Sequence, residues 1–432
     1  MSFEAYFPLC FSFFGLGERL QLRTLSRRMC QEAGRCDVSG GAALGRVAER
    51  GMADLCQRLV RMGASVNAAS RQDLSPHLDA CCGNLDALLG SLSRPQSERF
   101  EQDDLTPLMY AVFGGQLETL ELLLQSKAEV NHQNNTKCTA LMLAADLGHT
   151  SSLKRLLTAR ADVSLQASDS TTALTNAAQK GHQEVVEELL CVGQEQASLA
   201  DALWWAAEYG HASIVERLFH YKVDPNLAGE DGSGPAGGKA LRIAAHKNNG
   251  EVISALLAGN VDVNATSANG FGALAVACQY GSQRVAQDLL ANAADVNARA
   301  PNGWTPLMIA STFGHSLVVE HLLIFLANVH MRDREGNTPL LLAAQSGHIR
   351  ILQALLQQNA QVNAAGQCGW TALNLAASFG HLAACQLLLS HKADAQVPDE
   401  AQETPEMAAL AGGHTEIVAL LRDATQVAKA DN

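Results

Sequence analysis

The stretch Asn337–Asn363, NTPLLLAAQSGHIRILQALLQQNAQVN, predicts two short helices joined by a tight turn. Thr338 can cap the first helix with its hydroxyl, and Pro339 fits the first turn because an N–H at that position has no intrahelical partner. Gly347 supplies the left-handed residue that ends this helix. From Ile349 onward, apolar residues recur at the spacing of a second helix. Such a pair cannot bury its apolar face alone, so neighbouring units must stack on it.

The same pattern recurs along the chain, and twelve segments align on the position that Thr338 occupies. Eight of the eleven spacings between these anchors are 33 residues, and the others are 31, 29 and 38. The ninth residue after every anchor is Gly or Asn. This period predicts a helical solenoid, because a fixed period of this length is typical of repeat proteins. The anchors are Ala42, Ser75, Thr106, Thr139, Thr172, Asp201, Lys239, Gly272, Thr305, Thr338, Thr371 and Thr404.

The shared motif is T-P-L-x-x-A-A-x-x-G-H followed by L-L-x-x-x-A-x-V-N, and it closely resembles the ankyrin repeat. The resemblance extends over roughly residues 40 to 430. It implies an all-α ankyrin-repeat solenoid of about twelve helix-turn-helix units with short β-hairpin fingers. It also implies a protein that binds other proteins along a concave groove.

Two irregular spacings suggest how the chain is organised. The unit that precedes Asp201 is four residues short and lacks its closing turn, and a Gly-rich insert lengthens the unit that precedes Lys239 by five residues. We expect a mild break between repeats six and seven. The predicted segments are an N-terminal segment at 1–40, repeats one to six at 41–227, a flexible insert at 228–238, and repeats seven to twelve at 239–432.

The composition argues against several classes of partner. A net charge of −13 disfavours nucleic acid, which requires clustered Lys and Arg. No apolar run reaches the roughly 18 residues of a membrane span, so we expect no membrane insertion. The eleven cysteines form no C-x-x-C pair, which indicates free thiols in a reducing compartment, the cytoplasm or the nucleus. We expect a monomer.

No catalytic, metal or cofactor site is predicted, so we do not expect an enzyme. The glycine-rich stretch before Lys239 superficially resembles a phosphate-binding loop. It has Ser233 where the loop needs Gly and Ala240 where it needs Ser or Thr. Seven histidines follow the repeat glycine at one register position, and we interpret them as one structural device that bonds loop backbone between units. They are His149, His182, His211, His315, His348, His381 and His414.

Aromatic residues recur at two positions that the ankyrin resemblance places on the binding groove. The residue before the anchor lies on the finger, and the eighth residue after it lies at the end of the inner helix. Rigid aromatic side chains commonly anchor interfaces, although at these positions they also shield hairpin backbone. We expect the finger residues Trp304 and Trp370 to protrude. The predicted partner-binding residues are Tyr209, Phe271, Tyr280, Trp304, Phe313, Trp370 and Phe379.

The first forty residues do not fit the repeat, and they carry a net charge of +1. Their order, Phe-Ser-Phe-Phe and then Leu-Gln-Leu-Arg-Thr-Leu-Ser-Arg-Arg, resembles the F-box. That resemblance implies docking on a Skp-type adaptor of a cullin–RING ubiquitin ligase. The alternative is an apolar helix pair that only covers the first repeat. The predicted adaptor-docking residues are Phe11, Phe13, Phe14, Leu20, Leu22, Leu25 and Met29.

Overall fold

The structure is a computed structural model that describes residues 105–226 and 235–430, with side chains to 426, and a few single positions between 48 and 67. The described residues form twenty α-helices and one 3-10 turn at Gln367–Gly369. The helices are α1 Pro107–Phe113, α2 Leu117–Gln125, α3 Ala140–Asp146, α4 Thr150–Thr158, α5 Ala173–Lys180, α6 Gln183–Val192, α7 Gln196–Tyr209, α8 Ala212–His220, α9 Ala236–His246, α10 Gly250–Ala258, α11 Ala273–Tyr280, α12 Gln283–Ala291, α13 Pro306–Phe313, α14 Ser316–Ile324, α15 Pro339–Ser346, α16 Ile349–Gln357, α17 Ala372–Ser378, α18 Leu382–Ser390, α19 Pro405–Ala411 and α20 Thr415–Ala430.

These helices form ten two-helix units, which are repeats three to twelve of the sequence register. The first helix of each unit is called the inner helix and the second the outer helix. Most inner helices begin at the predicted Thr, whose hydroxyl accepts a hydrogen bond of 3.3–3.4 Å from the backbone N–H three residues later. The prediction of an all-α repeat fold is confirmed.

Two anchors lie inside helices rather than at their starts. Asp201 is in the second turn of α7, which begins at Gln196, and Lys239 is the fourth residue of α9. The last three residues of the predicted insert 228–238 therefore belong to α9, and all three are buried. Pro235, with φ −59°, directly precedes α9 and is compatible with a helix that starts before the register position.

The chain divides into two compact units, residues 1–198 and 199–432. The division falls one repeat earlier than the break that the sequence spacing suggested. It follows the unit that ends at Val192, where the short link Gly193–Glu195 stands in place of the closing turn and finger. Residues 227–234 of the insert lie outside the described residues.

Within each compact unit, an inner helix packs on the inner helix of the next repeat and on its own outer helix. Paired alanines such as Ala343 and Ala344 are fully buried, so adjacent inner helices can approach closely. Outer helices contribute a leucine-rich stripe, of which Leu352 and Leu355 are examples with no exposed surface. In each unit, the core is an apolar seam between its inner and its outer helices.

Asparagine side chains join successive repeats through the turn that follows each outer helix. The side-chain Oδ1 of Asn131, Asn264, Asn297 and Asn363 accepts a hydrogen bond of 2.8–2.9 Å from a backbone N–H 31 residues later. This explains why the motif closes with Val-Asn. The asparagine satisfies a turn N–H of the next unit that would otherwise lack a partner.

The fingers are tight turns, and the described residues contain no extended strand. An isolated antiparallel bridge joins Thr266 and Gly272. In repeat ten the buried Asp333 holds the turn, because its Oδ1 accepts hydrogen bonds from the backbone N–H groups of Glu335 at 2.9 Å and Asn337 at 2.8 Å. Such side-chain bonds let a turn form without a sheet partner.

Candidate partner-binding surface

The four aromatic residues predicted at the inner-helix ends are all exposed to about the same degree. Tyr209, Tyr280, Phe313 and Phe379 have exposed fractions of 53%, 52%, 50% and 52%. Each directly precedes a glycine in the left-handed conformation, with φ between 69° and 84°, at or just after the end of its helix. The sharp turn at that glycine leaves the preceding ring uncovered. We call these four residues the aromatic column.

The aromatic residues on the fingers are half-buried, so the expectation that Trp304 and Trp370 protrude is wrong. Phe271 and Trp304 line the same shallow cleft, together with Val263 and Pro306. The cleft lies between the fingers of repeats eight and nine.

Aromatic and cationic side chains cluster around the first member of the column. The rings of Trp204 and Trp205 are 4.6 Å apart and edge-on, and the Trp205 ring centroid lies 5.9 Å from that of Tyr209. The Lys239 ammonium lies 5.2 Å from the centre of the Trp204 ring, a cation–π geometry. Both tryptophans are half-buried, so Trp205 does not belong to the fully buried core.

Sequence reasoning missed the residue that precedes each column position. In repeat seven this residue is His246, whose ring centroid lies 4.4 Å from that of Tyr280. In repeat six it is Glu208, which forms a 3.0 Å ion pair with Lys247. The seventh register position was as visible in the sequence as the eighth. Its residue types vary from repeat to repeat, so the repeat pattern does not single it out.

The register histidines are structural, as predicted. Six of them place a ring nitrogen 2.8–3.1 Å from a backbone carbonyl at the inner-helix end of the preceding repeat. The ring also lies against the glycine of that repeat. A Cβ built on Gly347, for example, would lie 2.6 Å from Nδ1 of His381. Glycine is therefore required both for its backbone conformation and for the space beside it.

The described residues contain no group of His, Cys, Asp and Glu side chains that could hold a metal ion. Six cysteines are described, and none of these six is in a disulfide. Burial raises the pKa of Cys278 above its usual range and that of Cys385 to about 12, so these thiols stay protonated and unreactive. No helix among the described residues is long and apolar enough to cross a membrane.

The predicted adaptor-docking residues, from Phe11 to Met29, lie outside the described residues. The F-box and its alternative, a cap on the first repeat, both stay predictions. The partner-binding residues, from Tyr209 to Phe379, all lie in the second compact unit.

The fold places this chain in the class of all-α proteins built from stacked two-helix repeats. A family model for ankyrin repeats matches the chain at residues 44–134, 77–167, 141–229, 203–300, 294–366 and 359–431. These matches cover most of the chain, which belongs to the ankyrin-repeat family. Members of this family are generally protein-interaction modules. A search among curated proteins finds no match.

Proposed function

We propose that this chain is a non-catalytic scaffold or adaptor that binds a partner protein along the aromatic column. The observation that carries the proposal is the shared exposure of four rings at one register position. Half-exposed rings of this kind can anchor a partner at low entropic cost, because an aromatic side chain has only two rotatable bonds. The half-buried Phe271, Trp304 and Trp370 would border that surface.

The electrostatic character of the column from Tyr280 to Phe379 indicates the chemistry of the partner. The inner helices α11, α13, α15 and α17 carry no charged residue. A nucleic acid would find no array of Lys or Arg on these helices. A peptide segment or protein surface with apolar and aromatic side chains fits them better.

The test begins with affinity purification of the full chain and mass spectrometry, and continues with the purified partner. The variant Tyr280→Ala with Phe313→Ala should weaken binding by more than about tenfold, since an anchoring ring contributes at least about 2 kcal/mol. Ser346→Ala is the matched control, because Ser346 occupies the same register position in repeat ten and has no ring. Equal affinity of the double variant and the wild type would refute the assignment of the surface.

We also propose that the protein works in the cytoplasm or the nucleus. The cysteines support this, because six described thiols without a disulfide fit a reducing compartment. A tagged full-length protein observed by fluorescence microscopy would test the location. A signal confined to the secretory pathway would contradict it.

A second candidate function is that of a substrate receptor of a cullin–RING ubiquitin ligase. It rests on the F-box-like order of residues between Phe11 and Arg28. Phe11→Asp with Leu25→Asp should abolish co-purification of a Skp-type adaptor, whereas Tyr280→Ala with Phe313→Ala should leave it unchanged. If the wild-type chain never co-purifies with a Skp-type adaptor or a cullin, the segment is a cap.

A further inference from the structure

The inner-helix ends of repeats eight to eleven combine aromatic rings with hydrogen-bonding groups. Tyr280, Phe313 and Phe379 are about half exposed at the eighth register position, where repeat ten holds Ser346. The seventh position of the same repeats holds an uncharged polar side chain: Gln279, Thr312, Gln345 or Ser378. We call the residues at these two positions of repeats eight to eleven the polar–aromatic stripe.

Several hydrogen-bond donors on and beside the stripe have no acceptor among the described residues. The side-chain amides of Gln279 and Gln345 are exposed and donate to no described group. The same is true of the indole Nε1–H groups of Trp304 and Trp370, on the fingers that border the rings. A partner that presents acceptors can therefore bond these groups without breaking a bond inside the described part of the protein.

Charged side chains near the stripe lie on the fingers, the six residues before each anchor, and only in repeats nine and ten. Arg299 and Arg332 donate hydrogen bonds to backbone carbonyls of the following finger. Asp333 is buried and holds its own turn. Arg334 and Glu335 are exposed, have opposite signs and belong to repeat ten, which has no ring. The stripe therefore offers no array of like charges to a strongly acidic or strongly basic partner.

The repeat spacing sets the period at which a partner must present its apolar groups. Inner helices of successive repeats pack on one another, and packed helices lie about 8–10 Å apart. A polyproline II helix advances about 9 Å in one turn of three residues, which matches this spacing. An extended strand returns to the same face about every 6.6 Å, which does not match it. An α-helix bonds its own carbonyls internally, so it offers few acceptors to the unused donors.

We propose that the polar–aromatic stripe binds a proline-rich segment of the partner protein in the polyproline II conformation. The inference rests on the proposed function and names the chemistry of the partner. Proline rings pack on the exposed aromatic rings, and the peptide carbonyls, which have no internal partner in this conformation, accept from the unused amide and indole donors. Because repeat ten has no ring, the prolines that meet Tyr280, Phe313 and Phe379 are three and then six residues apart.

Titration calorimetry of the full chain with synthetic peptides of about ten residues, made of Pro, Gln and Ala, tests the proposal. One peptide has prolines at its first, fourth and tenth positions, and a second has them at its first, seventh and tenth, for the opposite chain direction. The control peptide has the same composition with prolines at its first, fifth and ninth positions. One of the first two should bind with a Kd below about 1 mM, and at least about tenfold more tightly than the control.

Protein variants separate the two parts of the stripe. Tyr280→Ala with Phe313→Ala should weaken peptide binding at least about tenfold, and Gln279→Ala with Gln345→Ala about fivefold. Met407→Gln with Leu410→Gln is the matched control, because these apolar residues of α19 are also about half exposed and lie outside the stripe.

No binding of either spaced peptide at about 1 mM would overturn the proposal. So would equal binding of the control peptide, or unchanged affinity in both stripe variants. If the spaced peptides fail but a purified partner still loses affinity for Tyr280→Ala with Phe313→Ala, the proline-rich inference is wrong and the proposed function stands.

Discussion

Replacing Gly347 by Ala tests whether the repeat glycines and histidines act together. Gly347 has φ +72°, a conformation that costs a residue with a Cβ about 1–2 kcal/mol. The new methyl group would also lie 2.6 Å from Nδ1 of His381. That ring would have to move, and its Nε2, 3.0 Å from the carbonyl oxygen of Gln345, would lose a hydrogen bond of about 1 kcal/mol net. The expected loss in free energy of unfolding is about 2–3 kcal/mol.

The matched control is Gly413→Ala, because Gly413 has φ +76° but no neighbouring atom within 4 Å of the position that a Cβ would take. It should cost only the backbone part, about 1–2 kcal/mol. Urea unfolding followed by circular dichroism measures both variants. The double variant Gly347→Ala, His381→Ala completes a cycle in which the coupling between the two sites should be about 1 kcal/mol. Equal costs at Gly347 and Gly413, together with zero coupling, would refute the role of the histidine ring.

Three further outcomes follow from burial. Leu340→Ala, at a residue only 1% exposed, should cost about 2–5 kcal/mol in urea unfolding, whereas Phe313→Ala at 50% exposure should cost less than about 1 kcal/mol; similar costs would contradict the assigned exposures. The exposed Cys368 should react with a thiol reagent in the native protein, and the buried Cys278 and Cys385 only after unfolding, as mass spectrometry of the labelled peptides would show. Because burial raises the pKa of Cys278 and Cys385, the native state keeps protons that unfolded thiols lose above about pH 8.5. Stability should therefore fall as pH rises beyond that value, and less steeply in Cys278→Ala, in melting curves between about pH 7 and 10.

Helix boundaries followed closely from local sequence signals. The motif predicted that Thr338 caps an inner helix and that Gly347 ends it, and α15 runs from Pro339 to Ser346 between them. Both signals act through bonds and conformations within one turn of the backbone, so neighbouring residues are sufficient to predict them. At Asp201 and Lys239, which lie inside their helices, the register still located the helix but not its first residue.

The exposure of individual side chains could be predicted less well from the sequence than the helix boundaries. The column residues Tyr280 and Phe313 are exposed, as their register position predicted, whereas Trp304 is half-buried against a neighbouring finger. How far a finger ring is covered depends on the loop of a neighbouring repeat, as at the cleft that Trp304 lines with Phe271. The residues of that loop lie about 33 positions away in the chain, and their side chains vary from repeat to repeat.

The amino-acid sequence alone was sufficient for the repeat register, the all-α class, the helix caps and the structural role of the histidines. Each of these depends on short-range backbone conformation or on a spacing repeated many times. The tertiary structure was needed to show that Leu317 and Ile324 of α14 are exposed, that the finger tryptophans are half-buried, and that His246 contacts Tyr280. Exposure and ring contacts depend on how side chains of adjacent repeats fill the space between them, and this packing is not encoded in the pattern of any single repeat.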